Sequence, residues 1–116
     1  MRHEKVETFI KALHLFQELD IEMQIPTILT FVELSEWDLN NPPSITDLGT
    51  KMGLEANSTA GSRNIMTWSE VNRNKGLGYD MMETKENPEY RVQKKVYLKH
   101  KGHVFAQKLR EILQEE

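Results

Sequence analysis

Arg63 is the side chain best suited to reading another molecule. Its guanidinium fork matches the two acceptors that guanine presents in the major groove of a duplex. Around it stand Asn57, Ser58, Thr59, Ser62, Asn64 and Thr67. These short hydroxyl and amide side chains suit phosphate contacts or helix capping. The alternative for Arg63 is a surface pairing with Glu70 or Glu55. A second group, Lys85, Arg91, Lys94 and Lys95, consists of phosphate candidates. In a strand, alternation puts Arg91 and Lys95 on one face and Lys94 on the other. His100 and His103 have a spacing that a metal could use on one helical turn. The chain has no cysteine, however, and no third ligand is fixed nearby, so no metal and no cofactor are expected. There is no activated serine, no carboxylate pair at catalytic spacing and no Gly-rich phosphate loop, so no enzymatic activity is expected.

Charge is unevenly distributed. The net charge over 116 residues is −3, which argues against a general polyanion binder. Residues 1–40 carry 3 basic and 8 acidic side chains, whereas residues 84–110 carry 8 basic and 2 acidic ones. Such asymmetry suits a chain whose basic end meets an anion and whose acidic end meets solvent or a partner. The other reading is that lysines decorate a solvated strand and helix. No apolar run approaches the ~18 residues of a membrane-spanning helix, so no membrane partner is expected. The first ten residues lack a long apolar block and a small-residue cleavage site, so an intracellular location is expected.

The elements that must position these side chains follow from periodicity. Over residues 3–19, Val6, Phe9, Ile10, Leu13 and Phe16 recur at spacings of three and four, which predicts an amphipathic helix. Leu15 and Leu19 widen its apolar stripe, as if it were gripped from two sides. His14, beside the stripe, is expected to be partly buried. Pro26 suits the first turn of a second helix. Its buried stripe is expected to be Ile25, Ile28, Leu29 and Val32, with Phe31, and it ends by Trp37–Asn41. Ser44 and Asp47 form a capping box for a third helix, which Gly53 stops in the left-handed region. A fourth helix is expected from Asn57, Ser58 or Thr59 to about Val71. It turns Gly61, Ile65 and Trp68 to one face, with Gly61 allowing another backbone to come close. Trp37 and Trp68 are expected in the core or an interface.

The period then changes to that of strands. Leu77–Glu83 and Tyr90–Leu98 predict a hairpin around a tip at Thr84–Glu89. Met81 and Met82 either form an adaptable contact surface or point one in and one out. Lys99 to Gly102 lead into a last helix carrying Val104, Phe105, Leu109, Ile112 and Leu113. The order defines an α+β, mainly α domain of winged helix-turn-helix type, a three-helix core plus a two-stranded wing. It reads as one domain: an N-terminal helix within residues 1–22, a helix-turn-helix at 44–71, a wing at 77–98 and a C-terminal helix at 100–116.

Four segments in order resemble the MarR-type (multiple-antibiotic-resistance regulator) winged-helix family over roughly residues 24–113. Residues 44–54 are similar to its first motif helix and turn. Ser62-Arg63 stands where its recognition helix often has a Ser-Arg pair. Lys75-Gly76-Leu77 resembles the opening of its wing, and residues 96–102 resemble its last strand and helix start. Residues 54–63 are about two longer than in the family, the tip lacks the usual Asp-x-Arg, and the last helix is short. The resemblance implies a minimal or divergent member that dimerises through its terminal helices. Val6, Phe9, Ile10, Leu13, Phe16, Phe105, Leu109, Ile112 and Leu113 are the expected dimer contacts. A homodimeric, sequence-specific regulator of double-stranded DNA, a repressor that blocks transcription sterically, is the expected function. The alternative is a winged-helix interaction module that binds a protein partner and has little affinity for DNA.

Overall fold

The computed structural model describes residues 3–54, 60–70, 78–86 and 94–114. Within them the chain forms α1 (Glu4–Gln17), α2 (Ile25–Ser35), α3 (Ile45–Lys51), α4 (Ala60–Trp68), β1 (Met82–Glu86), β2 (Lys94–Leu98) and α5 (His100–Gln114). It is a mainly helical α+β arrangement with a two-stranded antiparallel sheet. None of the described helices is long and apolar enough to cross a membrane.

Local chemistry sets several boundaries. The His3 side chain accepts from the Lys5 N–H at 3.1 Å and caps α1. Pro26 occupies the first turn of α2, where a missing N–H leaves nothing unpaired. Asp47 N–H donates to Ser44 Oγ at 3.0 Å, and Ser44 N–H donates to Asp47 Oδ2 at 3.2 Å, which completes the expected capping box. Gly53 has φ 85°, the left-handed stop that ends the α3 region.

The core is built on four rings, one each from α1, α2, α4 and α5. Phe16, Phe31, Trp68 and Phe105 all contact one another, with centroids between 4.9 and 6.1 Å apart. Most of the pairs are edge-on or tilted, the geometry that ring quadrupoles favour. Gly61, Ile65 and Trp68 are buried on one face of α4, as their spacing predicts. Met81 and Met82 are both buried, so they form no contact surface. His14 is exposed, with Nδ1 2.9 Å from Gln17 Oε1, and is not the half-buried residue its position suggested.

α2 is rotated relative to the expected stripe. Its buried side is Thr27, Thr30, Phe31, Leu34 and Ser35, while Ile25 and Leu29 are 70% and 40% exposed. A helix that is apolar all round gives periodicity no face to choose. The choice falls to the short threonines, which let α2 approach α4 with their hydroxyls paired. Thr27 Oγ1 donates to Asn64 Oδ1 at 3.1 Å, and Thr30 Oγ1 donates to the Pro26 carbonyl at 2.8 Å.

The sheet also starts later than expected. Residues 78–81 form a turn, Asp80 with φ 56°, and β1 extends through Thr84–Glu86 where a tip was expected. The cause is hydrogen bonding to the end of α4. Gly78, Tyr79, Asp80 and Met81 donate N–H bonds to the carbonyls of Glu70, Thr67, Ser69 and Trp68 at 2.7–3.1 Å. Those donors cap helix carbonyls and cannot serve a partner strand. In the sheet Met82 pairs with Leu98 and Glu86 with Lys94. An isolated bridge from Ser44 to Lys95, with Val96 N–H donating to the Pro43 carbonyl at 2.9 Å, ties the hairpin to the start of α3. Gly102 lies inside α5 and does not merely precede it. A Cβ there would stand 2.2 Å from the Met81 carbonyl oxygen, so glycine permits this approach of helix to turn.

Candidate nucleic-acid interface

Burial of Gly61, Ile65 and Trp68 fixes which side of α4 faces outward. At 100° per residue, Ser62, Arg63, Met66 and Thr67 share the opposite arc. Arg63 is exposed, and among the described residues no ion pair or side-chain hydrogen bond holds its guanidinium. Thr67 Oγ1 donates to the Arg63 carbonyl at 3.1 Å, so that hydroxyl has an intrahelical partner. Asn57, Ser58 and Thr59 lie outside the described residues, as do Glu55 and Arg91.

Arg63 also borders a groove of about 350 Å³ between α2 and α4, lined by Gln24, Pro26, Thr27, Ala60, Asn64 and Thr67. Sequence reasoning did not single out Gln24. The signal was its place immediately before Ile25-Pro26, at the open end of a helix whose first turn carries no acidic residue. Asn64 faces this groove but is held by the Thr27 hydroxyl.

The hairpin lysines are not equivalent. Lys94 is exposed and stands opposite Glu86. Lys95 is half-buried, with its Nζ donating to the Pro42 carbonyl at 3.1 Å. Lys85 pairs with Glu83 at 3.4 Å and lies over the Tyr97 ring, 5.0 Å from its centroid. Strand alternation assigns Lys94 and Lys95 to opposite faces but does not say how each is bound. The lysine placed with Arg91 is the tethered one, and its neighbour has no bond to its ammonium among the described residues.

Near the hairpin base, Lys99 bonds to Asp80 at 2.5 Å, and this hydrogen bond raises the ammonium above its ordinary pKa against the opposing effect of partial burial. Burial, then the nearby charge of Asp20, raises the Tyr79 phenol. Both groups keep their neutral-pH charge states. Among the described residues no cluster of three His, Asp or Glu side chains could hold a metal ion.

The expected dimer contacts divide into two sets. Phe16, Phe105 and Leu109 are buried in the chain's own core, Phe16 to 1% exposure, and cannot meet a second copy. Their spacing marked them as apolar without saying which apolar surface they served. Val6, Phe9 and Leu113 are exposed, Phe9 at 62%, and Ile10, Leu13 and Ile112 are half-buried. No family model matches the chain, and no curated protein matches it.

Proposed function

We propose that the chain is a sequence-specific regulator of double-stranded DNA, of winged helix-turn-helix type and MarR-like in plan, and that it works as a two-fold dimer. The observation that carries the reading is the exposed Arg63 guanidinium on the outer arc of α4, which no described residue pairs. The opposite arc of that helix is locked into the aromatic core. An exposed arginine on a helix whose other arc is packed into a core is what base reading needs, because a loosely mounted one would lose the discrimination that geometry provides. Ser62 and Thr67 flank it, and the exposed Lys94 on the hairpin supplies a phosphate contact to the side.

Support for the dimer comes from α1. Ala12, Leu15 and Phe16 face the core, whereas Val6, Phe9, Ile10 and Leu13 occupy the adjoining arc. That arc holds no charged residue, and Gln17 is its single polar member. Apolar, charge-free patches are the composition of interface centres. Phe16, at the end of α1, meets Phe105 in the second turn of α5, and the exposed Leu113 and half-buried Ile112 further along α5 are the remaining apolar candidates for the contact. An isologous pairing of the patch would present two α4 helices to successive half-sites.

The test is an electrophoretic shift titration against random duplex and against the gene's own upstream region. Binding to one duplex at least ~10³-fold tighter than to random sequence is the expected outcome. No shift with any duplex at ~50 mM salt, where electrostatic binding is strong, overturns the reading and leaves the interaction module in its place.

A further inference from the structure

The rotation of α2 leaves a face that the proposed DNA interface does not use. Ile25, Leu29 and Val32 fall on its outer arc, and Glu36 continues the same line with Glu33 beside it. Ile25 and Leu29 are the exposed members, and Ile21, just before the helix, is 75% exposed. At the far end of the stripe Glu33, Glu36, Trp37, Asp38 and Lys51 line a groove of about 320 Å³.

The charge around this face is one-sided. Between Lys11 and Lys51 the sequence contains no lysine or arginine and seven acidic residues. α2 has no acidic residue in its first turn and no basic residue in its last. Glu33 and Glu36 therefore sit at the negative end of the helix dipole, where carboxylates are unfavourable. Arg110 donates to the Ser35 carbonyl at 2.8 Å and offsets part of this, and Lys51 borders the groove. Among the described residues no ion pair reaches Glu33 or Glu36. Charges that oppose the local rule and are only partly offset by the described residues are the kind that a binding surface retains.

We infer that the outer face of α2 docks a basic amphipathic segment of another protein. Its apolar side chains cover Ile25 and Leu29, and an arginine enters the groove between Glu33, Glu36 and Trp37. A guanidinium fits that groove because it can donate two parallel N–H bonds to a carboxylate while stacking on an indole. A second copy of this chain does not fit. Antiparallel two-fold pairing of the face would set Glu33 and Glu36 of each copy against Ile25 and Ile21 of the other, burying the carboxylates with no cation. In the basic part of the chain, the described residues of 84–110 offer Val104 alone as an exposed large apolar side chain. The inference does not rest on DNA binding, since Arg63 and Lys94 lie outside this face.

The test uses the full chain and a synthetic helical peptide with leucines at i, i+4 and i+7 and arginines flanking them. Controls are the same composition in scrambled order and a peptide with glutamate for arginine. Fluorescence anisotropy gives affinity, and ¹H–¹⁵N spectra locate the contact. Expected is micromolar binding of the patterned peptide alone, with shifts at Leu29, Glu33, Glu36 and the Trp37 indole. Leu29→Ser should weaken it about tenfold, and Glu33→Lys with Glu36→Lys by more, for surface side chains that carry no folding role. Three results overturn the inference: no binding, equal binding of the scrambled peptide, or shifts confined to another face. A change of molecular mass in Ile25→Ser with Leu29→Ser would assign the face to a second copy and also overturn it.

Discussion

The Trp68 indole N–H donates to the Thr27 carbonyl at 2.8 Å, a buried bond across 41 residues of sequence. It fixes the rotation of α4 about its own axis, and with it the direction in which Arg63 points. Trp68→Phe keeps an aromatic ring but removes the indole bond to the Thr27 carbonyl, which retains only its helical partner, and opens a small void. The expected loss is about 2–4 kcal/mol in urea unfolding. A loss below ~1 kcal/mol, within the range of an exposed hydrogen bond, would mean that this contact does not hold the helix.

Two glycines in helices should respond oppositely to alanine. At Gly102 a Cβ meets the Met81 carbonyl oxygen at 2.2 Å, so Gly102→Ala should destabilise by at least ~2 kcal/mol despite the better helix former. At Gly61 the nearest atom to a Cβ is the Gly49 Cα, at 3.8 Å. That is ordinary contact, so Gly61→Ala should be neutral or stabilise by up to ~1 kcal/mol. Thermal melts of the two variants, run together, decide whether backbone proximity or propensity governs each site.

For DNA binding, Arg63→Ala should cost about 1–3 kcal/mol on the specific site and little on random duplex. An equal loss on both would make Arg63 a phosphate contact.

Salt dependence separates the hairpin lysines. Lys94→Ala should flatten the plot of log affinity against log salt by about 0.9, the value for one phosphate contact. Lys95→Ala should flatten it less, because its Nζ already serves the Pro42 carbonyl. Its effect should appear instead as a modest loss of stability. Equal slopes for both mutants would contradict the tether.

Light scattering at micromolar concentration should give twice 13.6 kDa. Phe9→Glu should yield a folded monomer, whereas Phe16→Glu should unfold the chain, because one ring faces outward and the other lies in the core. A wild-type monomer at every concentration would remove the dimer and the two-half-site arrangement together.

What could be read from sequence is what local physics decides. Ser44 and Asp47 lie three residues apart and cap the same turn. Gly53 needs only its own backbone freedom, and Gly61, Ile65 and Trp68 share a face by helical geometry alone. The face of α2 could not be read, because Ile25, Ile28, Leu29, Val32 and Phe31 make several stripes equally apolar. Thr27, which looks polar, is the residue that selects the buried one, through Asn64 and Trp68. The start of β1 was hidden for a similar reason, since the donors of residues 78–81 are drawn to a helix end. Lys95 obeys strand alternation, yet its partner is a carbonyl 53 residues away, beyond any local pattern. At the candidate interface the type of Arg63 was legible from the start, whereas its exposure on the outer arc of α4 was a tertiary fact.

The bond from Gly78 N–H to the Glu70 carbonyl, 3.0 Å long, has an engineering consequence. It joins Glu70, just past the end of α4, to the first residue of the run that caps that helix, so a fluorescent probe on the exposed Glu70 would change its surroundings when the base of the hairpin leaves α4, and would time that step in unfolding.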